Sequence, residues 1–407
     1  MNRSNKRSFF YLLCWGFVIA YTVFSFPLLT GSQSEKSLPI TTELRGVWLT
    51  NVASGVLFLP WGIDRAVTQL SALNFNTIYP VVWNRGHTFY KSKLAKSVTG
   101  SDADTLLNIM HGGQDVLAKI IQLARPQNLS VIPWFEYGFM TPPHSQLAKG
   151  YPDWLTMGKE GIKSTNEVPL EEINDNSGHQ QAWLNALHPE VQQFMLGLIQ
   201  EVVSIYHVDG IQLDDHFGMP VEFGYDAFTV DLYRQEHQGK SPPSDPFNPE
   251  WMRWRANKIT DFMVKVHQSV KAIKPNAVIS LSPNSQAFAY KYYLQDWETW
   301  VRRGLVDELI LQVYRNNQKS FITELEQPAV KFARTRIPVS IGILTGTSTS
   351  PMKISQIQEQ VKTVRDRNFT GISFFYWESL WGSITPEPPQ QRLQVFQKLF
   401  VAKAVRP

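Results

Sequence analysis

Cysteine is almost missing from this sequence, which has a single one, Cys14, among 407 residues. A lone cysteine excludes a scaffold that is held together by disulfides within the chain. Charged residues are also sparse, at 18%, whereas 43% of the residues are hydrophobic and 13% are aromatic. A disordered chain would show the opposite balance, so the composition indicates a folded protein with a large core.

A strong excess of one charge sign is missing as well. The formal net charge is +4, but Arg3, Lys6 and Arg7 all precede the first acidic residue, Glu35. Without these three charges, the rest of the chain carries a net charge of only +1. A protein that binds nucleic acid presents a clustered basic face, so we expect no nucleic-acid partner.

Several motifs of known chemistry are absent too. The loop after the first predicted strand, Asn51–Leu59, has one glycine and no G-x-G-x-x-G, which argues against a doubly wound nucleotide-binding sheet. The chain has no G-x-S-x-G for serine chemistry. It also has no H-x-H, no H-E-x-x-H and no cysteine–histidine set, so we expect no metal and no cofactor.

The N-terminus has the pattern of a targeting segment, since residues 1–8 are polar and basic and residues 9–29 carry no charge. This pattern is typical of a signal peptide or an uncleaved membrane anchor. We expect residues 1–30 to form that segment, residues 31–42 a linker and residues 43–400 one domain. The protein is therefore expected to be exported to the periplasm, cell envelope or exterior, with residues 9–29 as an anchor if they stay uncleaved.

Eight apolar runs recur after the linker, and most are continuously apolar, as in strands buried on both faces of a parallel sheet. They are Leu44–Thr50, Asn76–Trp83, Ser130–Glu136, Val208–Asp214, Ala277–Ser282, Asp307–Tyr314, Ile337–Leu344 and Thr370–Trp377. Helical patterns lie between them, namely Asp64–Leu73, Gln114–Arg125, Pro189–Tyr206, Glu250–Ile273, Asp296–Arg303, Ser320–Ala333, Ile354–Arg367 and Pro389–Ala402. Eight alternating units predict an α/β fold, a closed (β/α)8 TIM barrel.

Two connections in this barrel are long, those after the third and fourth predicted strands, at residues 137–188 and 217–248. Both leave the carboxyl ends of strands, where barrel enzymes have their active sites. A length of 407 residues often indicates two or three domains, but one barrel with two long loops explains it here.

Four acidic residues lie at the carboxyl ends of predicted strands: Glu136, Asp214, Asp215 and Glu378. Hydrolysis of a glycosidic bond needs two such groups, an acid that protonates the leaving oxygen and a nucleophile or base. Adjacent acids such as Asp214 and Asp215 repel each other, so their position on an apolar strand favours a catalytic role. Because side chains alternate along a strand, only one of that pair can point to the barrel axis.

Aromatic, amide and basic residues follow the same strand ends. Aromatic rings can stack on the apolar faces of sugars, and amide and basic side chains can hydrogen-bond sugar hydroxyls. We therefore expect substrate contacts from Asn84, Arg85, Trp134, Tyr137, His216, Asn284, Gln312, Tyr314, Arg315 and Trp377. Structural roles stay open for three of the residues at the strand ends. Trp134 and Trp377 could be core residues, and Glu378 could cap the following loop.

The chain also resembles a known family. The family-ten glycosyl-hydrolase-like proteins, exported bacterial barrel proteins, are similar to it in ELRGVWLTN, FNTIYPVVWNRGHTFYKS, HPEVQQFMLGLIQEVVSIYHVDGIQLDDHF and QDWETWVRRGLVDELILQVYR. The resemblance covers roughly Glu43 to Leu399. It implies a carbohydrate-active barrel, and family members with an assigned role act on the glycan strands of peptidoglycan.

The resemblance extends to residue roles. The family is similar to α-amylase-type barrels, in which the aspartate that ends a D-G-x-x-x-D strand is the nucleophile, and this implies that role for Asp214. The acid of those enzymes is a glutamate after the fifth strand. Here the fifth predicted strand ends in Ser282-Pro283-Asn284, so Glu136, Asp215 and Glu378 are the candidates for the acid.

The leading hypothesis is an exported glycoside hydrolase that acts on an envelope or extracellular polysaccharide, with peptidoglycan glycan strands favoured. A non-catalytic carbohydrate-binding barrel is one alternative, since it would need the aromatic residues but no acid. A metal-dependent carbohydrate hydrolase or deacetylase is another, because Asp214, Asp215 and His216 are residue types that bind metals.

Overall fold

The structure is a computed structural model, and it describes residues 40–166, 180–347, 350–382 and 385–407. The predicted targeting segment, residues 1–30, lies outside the described residues, as does most of the predicted linker. Within the described ranges, no helix combines the length and the apolar character needed to cross a bilayer.

Nine parallel strands form one sheet. They are β1 (Leu44–Leu49), β2 (Thr77–Pro80), β3 (Ser130–Val131), β4 (Trp134–Phe135), β5 (Gly210–Asp214), β6 (Val278–Ser282), β7 (Glu308–Gln312), β8 (Val339–Leu344) and β9 (Gly371–Phe375). Their spatial order is β3-β2-β1-β9-β8-β7-β6-β5-β4. The two strands at the ends of this order, β3 and β4, are the two halves of the third predicted strand.

The sheet closes on itself through that third strand. Each half of the third strand hydrogen-bonds to the chain on both sides of it. The Val82 N–H, just after β2, donates to the Trp134 carbonyl of β4, and the Asp209 N–H, just before β5, donates to the Val131 carbonyl of β3. Pro133 has no N–H to donate, which accounts for the interruption between β3 and β4. The predicted eight-stranded barrel is therefore confirmed, with one of its strands split.

Fifteen α-helices occur in the described residues, most of them connecting one barrel strand to the next. They are α1 (Gly62–Ala72), α2 (Lys93–Thr99), α3 (Thr105–Met110), α4 (Val116–Ala124), α5 (Gln146–Gly150), α6 (Pro189–Ile205), α7 (Ala227–Glu236), α8 (Pro249–Ile273), α9 (Gln286–Tyr293), α10 (Trp297–Arg302), α11 (Gln318–Leu325), α12 (Pro328–Arg334), α13 (Ile354–Asp366), α14 (Trp377–Trp381) and α15 (Pro389–Leu399). The single helix predicted over Ser320–Ala333 is wrong, because Pro328 starts a new helix and supplies no N–H to the previous one.

Side chains fill the barrel interior. Trp48 on β1 donates its indole N–H to the Gln212 amide oxygen on β5, at 2.7 Å, across the barrel. Gly342 on β8 leaves room for that indole, since a Cβ there would lie 3.1 Å from the Trp48 ring. This alternation puts every second residue of each strand inside, so the inward residue at the end of β5 is Asp214.

The two ends of the barrel are built differently. At the amino-terminal end of the strands, the C-terminal segment Ala404–Val405 pairs with Thr41–Thr42, and Arg406 forms a partly buried ion pair with Glu308 of β7. At the carboxyl end the long loops fold over the mouth. The Arg255 guanidinium on α8 secures one of them by donating to the carbonyls of residues 221, 223 and 246.

Candidate active site

Glu136 lies directly after β4 and is 7% exposed. Its carboxylate accepts hydrogen bonds from the Asn84 amide at 2.5 Å and from the Thr50 hydroxyl at 3.2 Å. Burial raises the pKa of Glu136 to about 7, although the Asn84 amide and the charge of His216 oppose the rise. A carboxyl group with such a pKa holds a proton for much of the time at neutral pH, as a general acid must.

Asp214, the last residue of β5, is 3% exposed and points into the barrel mouth. One of its oxygens, Oδ1, accepts a 2.6 Å hydrogen bond from the Gln312 amide at the end of β7. Burial raises the pKa of Asp214 well above its usual range, and the charges of Asp215 and Glu136 raise it further. Asp214 and Glu136 are therefore close enough to influence each other electrostatically.

Asp215 turns away from the barrel axis, as strand alternation predicts. Its two carboxylate oxygens contact the Asn284 amide at 2.5 Å and Nδ1 of His216 at 3.0 Å. The same Nδ1 lies 3.3 Å from the Glu136 carbonyl oxygen. Since both of these partners are acceptors, Nδ1 of His216 carries a proton.

An aromatic residue, Tyr314, lies beside the three carboxylates. Tyr314 is buried and stacks on Phe375, with 5.5 Å between ring centroids. Burial raises the pKa of Tyr314, and the charges of Asp214, Asp215 and Glu136 raise it further, so its hydroxyl faces this group.

The rim beside Glu136 is formed by a tight hairpin. Trp83–Asn84 pairs with His87–Thr88 across a two-residue turn, in which Arg85 and Gly86 both have positive φ, as in a type I′ turn. The Arg85 side chain, which is exposed, donates from Nε to the Tyr137 hydroxyl at 3.2 Å. Oδ1 of Asn84 is buried and has no hydrogen-bond partner in the part of the chain that the structure describes. That oxygen is placed to accept a hydrogen bond from a ligand.

Glu378 is the fourth predicted carboxylate, and its contacts lie elsewhere at the mouth. It belongs to α14, and its Oε1 accepts hydrogen bonds from the Ser54 hydroxyl at 2.5 Å and the Val56 N–H at 3.0 Å. These contacts secure the loop after β1 and not the loop that follows Glu378 in the chain. The neighbouring Trp377 lies beside the same loop and packs edge-on against Trp381.

Two other predicted residues have structural contacts. Trp134 is 2% exposed and packs against Trp48 and Phe375 in the barrel interior. Arg315 forms an ion pair with Glu324 of α11 at 2.8 Å, so its guanidinium braces the helix that follows β7. The structure thus brings Asn84, Glu136, Asp214, Asp215, His216, Asn284, Gln312 and Tyr314 together, with Arg85 and Tyr137 on the rim.

Three residues that shape the site were missed in the sequence. Thr50 is an inward-facing residue at the end of the first predicted strand, and strand alternation could have identified it. Gln295 holds the turn after β5 by donating to the carbonyls of Asp214, Asp215 and Phe217, a contact that only the tertiary fold creates. Gly138 has a φ of +47°, and a Cβ there would lie 2.4 Å from the His216 carbonyl oxygen.

Among the residues that the structure describes, one set of side chains could hold a metal ion. Asp214, Asp215 and His216 each offer one ligand atom, and these atoms lie within 4.8 Å of one another. Carboxylate and imidazole groups are ligands for zinc and other divalent metals. The direct contact between Asp215 and His216 occupies Nδ1 of His216, so this nitrogen already has a partner within the protein.

The sequence profile of the family described as Glycosyl hydrolase-like 10 matches residues 43–364. The chain belongs to this family. The match runs from just before β1 to near the end of α13 and therefore contains Glu136, Asp214 and Asp215. The family resemblance predicted above is confirmed.

Two proteins that are similar to this chain are named glycosyl hydrolases. The chain is 24% identical to glycosyl hydrolase DigH of Escherichia coli K12 over 353 residues, which covers 74% of this chain and 75% of DigH. It is 22% identical to glycosyl hydrolase YngK of Bacillus subtilis over 345 residues, or 73% of this chain. The match spans only 58% of the length of YngK.

A solved structure shares the fold. The glycoside hydrolase domain of PgaB (BpsB) from Bordetella bronchiseptica superposes with a TM-score of 0.61 at 12% identity. The superposition covers 91% of this chain and all of that domain. This chain therefore shares its barrel fold with that domain, and any catalytic assignment depends on the side chains at the mouth.

Proposed function

We propose that the protein is an exported glycoside hydrolase that cleaves O-glycosidic bonds in a polysaccharide of the cell envelope. One observation carries the proposal: Glu136 and Asp214 are buried together at the carboxyl ends of β4 and β5, each held by an amide donor. Two carboxyl groups with different environments are what acid-assisted cleavage of a glycosidic bond requires.

Glu136 is the proposed acid. Its raised pKa of about 7 lets it bring a proton to the leaving glycosidic oxygen near neutral pH. Loss of that proton leaves a carboxylate that Asn84 and Thr50 stabilise by donating to it. The same group can then accept a proton from the attacking water in the second step of a retaining mechanism.

Asp214 is the proposed nucleophile or base. Two carboxyl groups that lie close together tend to share one proton, because ionisation of either group raises the pKa of the other. One partner is then protonated and the other ionised. The Gln312 amide orients Asp214, and Asp215 is held out of the axis by Asn284 and His216. We assign the ionised role to Asp214 because it is the carboxylate at the end of β5 that faces the barrel axis and the Gln312 amide donates to it.

The favoured substrate is the glycan strand of peptidoglycan. The resemblance of the sequence to envelope-acting barrel proteins supports this choice, and so does the uncharged stretch at residues 9–29, which is typical of export. The aromatic and amide side chains around the carboxylates suit neutral sugar rings.

Incubation of the full chain with denuded peptidoglycan strands and with a panel of other glycans tests the substrate. New reducing ends, measured over time, are expected from peptidoglycan strands. The Asp214→Asn variant is the matched control, because asparagine keeps the shape and removes the charge. Binding without new reducing ends from any glycan would contradict hydrolysis and favour the non-catalytic carbohydrate-binding barrel.

A metal-dependent hydrolase or deacetylase is the second candidate, and the grouping of Asp214, Asp215 and His216 favours it. Treatment with a chelator separates the two mechanisms. Acid–base hydrolysis by Glu136 and Asp214 predicts an unchanged rate after chelation. A loss of activity that zinc or another divalent metal restores would favour the metal-dependent candidate.

A further inference from the structure

The amino-terminal end of the barrel, opposite the mouth, carries an excess of positive charge. This basal end consists of the connections from helices back to strands, the segment before β1 and the C-terminal tail, at residues 40–43, 73–76, 125–129, 206–209, 274–277, 303–307, 335–338, 367–370 and 400–407. It contains three acidic residues and the seven basic residues Arg125, Lys274, Arg303, Arg336, Arg367, Lys403 and Arg406. The chain between β5 and α8 at the mouth, residues 215–248, has the opposite balance, with six acidic and two basic residues.

The acidic groups of the basal end are largely neutralised within the protein. Glu43 forms ion pairs with Arg45 and Arg365, and Asp307 pairs with Lys271 at 2.8 Å. Four of the basic side chains are exposed, namely those of Arg125, Arg303, Arg336 and Lys403. The surface of the basal end is therefore cationic.

Stabilisation of helix ends explains only part of this charge. A cation beside the last turn of a helix interacts favourably with the helix dipole, and the effect falls off beyond that turn. Arg125 and Lys274 directly follow α4 and α8, so this role suits them. It does not account for Lys403, which lies four residues beyond the end of α15.

Exposed apolar side chains lie among these charges. Ile205 and Ile273 are the last residues of the neighbouring helices α6 and α8, and they are 58% and 41% exposed. Ile40, Val401 and Val405 are exposed where the chain enters the barrel and in the tail. Cationic and apolar side chains on one surface are the combination that binds the interface of an anionic lipid bilayer.

Contacts between the connections join these residues into one surface. The Lys274 ammonium donates to the Val208 carbonyl, which links the end of α8 to the connection before β5. The ion pair between Arg406 and Glu308 links the tail to the start of β7, a strand that neighbours β6. The apolar residues at the ends of α6 and α8 and those of the tail therefore lie on the same end of the barrel.

A groove in the basal end has room for a lipid headgroup. It offers about 330 Å³ between the connections that precede β3, β5 and β6, a volume within the range of ligand pockets. Its lining includes Arg125, Asn128, His207 and Lys274. The acid in the lining, Asp209, accepts a backbone N–H at 2.8 Å. Two cations and an amide suit a phosphate group, which accepts charge-assisted hydrogen bonds.

The chain enters the barrel at this same end. Ten residues, 30–39, separate the uncharged stretch at residues 9–29 from Ile40. Ten residues span at most about 35–40 Å when they are fully extended. An uncharged stretch that stays in a bilayer as an anchor would therefore keep the basal end close to the lipid headgroups.

We propose that the basal end binds the surface of a bilayer that contains anionic phospholipids, with a lipid phosphate in the groove beside Arg125 and Lys274. Ile205 and Ile273 enter the interface next to that headgroup. The mouth then faces away from the membrane, towards the glycan. The inference rests on the proposed function, because it takes the protein to be exported, but it does not depend on hydrolysis.

A single fluorescent label on the full chain tests this surface. Cys14→Ser removes the native cysteine, and Asn276→Cys then carries an environment-sensitive NBD group at an exposed basal position. The chain is added to vesicles of phosphatidylcholine alone or of equimolar phosphatidylcholine and phosphatidylglycerol, both with spin-labelled phosphatidylcholine as a quencher. We expect strong quenching in the anionic vesicles and weak quenching in the neutral ones. The same label at Ser244→Cys, an exposed position at the mouth, should stay unquenched in both.

A variant that lacks basal charge provides the decisive comparison. This basal variant combines Arg125→Gln, Arg336→Gln and Lys403→Gln. Each basic residue near an anionic bilayer strengthens binding about fivefold, so the ratio of docked to undocked barrels should fall by about a hundredfold. The matched control removes three exposed charges from the mouth side and should leave the quenching unchanged; it combines Lys93→Gln, Lys96→Gln and Lys240→Gln.

Thermal unfolding separates lipid binding from a role in helix stability. The basal variant is expected to keep the Tm of the parent chain while it loses the quenching. A lower Tm with unchanged quenching would assign these charges to the helix ends and overturn the proposal. Equal quenching of the Asn276→Cys label in neutral and anionic vesicles would also overturn it.

The failure of this surface and the failure of the proposed function are distinguishable. The quenching assay needs no turnover, and hydrolysis of soluble glycan strands needs no vesicles. Quenching without hydrolysis by the parent chain would keep the lipid surface and refute the hydrolase. Hydrolysis without quenching would do the reverse.

Discussion

Removal of the Asn84 side chain tests how the pKa of Glu136 is controlled. The Asn84 amide donates to Oε2 of Glu136 at 2.5 Å and opposes the effect of burial. This hydrogen bond stabilises the ionised carboxylate more than the protonated one. In the Asn84→Ala variant the pKa of Glu136 therefore rises above its present value of about 7.

The size of the shift follows from the strength of the contact. A hydrogen bond to a charged group contributes about 1.5–3 kcal/mol, and about 1.4 kcal/mol corresponds to one pKa unit. Water that enters the space left by the side chain would replace part of the bond. We therefore expect the pKa of Glu136 to rise by about one unit.

The pH dependence of kcat/KM measures this shift. A general acid must be protonated, so activity declines as the pH rises through the pKa of Glu136 and produces the basic limb of the profile. Asn84→Ala should move that limb to higher pH while lowering the maximum. The control Asn284→Ala removes an amide that contacts Asp215 instead, and it should leave the limb in place. A limb that stays fixed in Asn84→Ala would refute the assignment of Glu136 as the acid.

Three further predictions concern other parts of the molecule. Burial raises the pKa of Glu378 from 4.5 to about 7, so the folded state loses stability as the pH rises through this range. In denaturant titrations, Glu378→Gln should remove about 3 kcal/mol of this pH dependence of the free energy of unfolding. Arg406→Ala leaves Glu308 unpaired in the barrel end and should cost about 3–5 kcal/mol, whereas the exposed Lys398→Ala should cost almost none; an equal loss in both would contradict the role of the tail. Gly138→Ala places a Cβ 2.4 Å from the His216 carbonyl and should lower kcat/KM by about a hundredfold, whereas Gly100→Ala, which also has positive φ but nothing within 4 Å, should not.

The barrel and its central carboxylates could be predicted from the sequence because they depend on local patterns. Apolar runs mark the strands, and a residue at the carboxyl end of a parallel strand must lie at the mouth. Alternation along β5 then separates Asp214, which points inward, from Asp215, which contacts Asn284. The D-G-I-x-x-D-D pattern was informative for the same reason.

The remaining positions could not be predicted because they depend on contacts between distant segments. Glu378 follows a strand as Glu136 does, yet Ser54 and Val56 on the loop after β1 bind its carboxylate. Arg315 likewise follows β7, but an acid on the next helix, Glu324, pairs with it. Nothing in the strand pattern distinguishes these side chains from those of the central group.

The most direct test of the Glu136–Asp214 pair is the initial rate of reducing-end release from denuded peptidoglycan strands. The parent chain is compared with Glu136→Gln, Asp214→Asn and, as a matched control, Glu324→Gln. Paired-carboxylate catalysis predicts that each of the first two variants falls by about 10²–10⁴-fold, while Glu324→Gln stays within a few-fold of the parent chain. Release by Glu136→Gln or Asp214→Asn at a rate close to that of the parent chain would contradict the account.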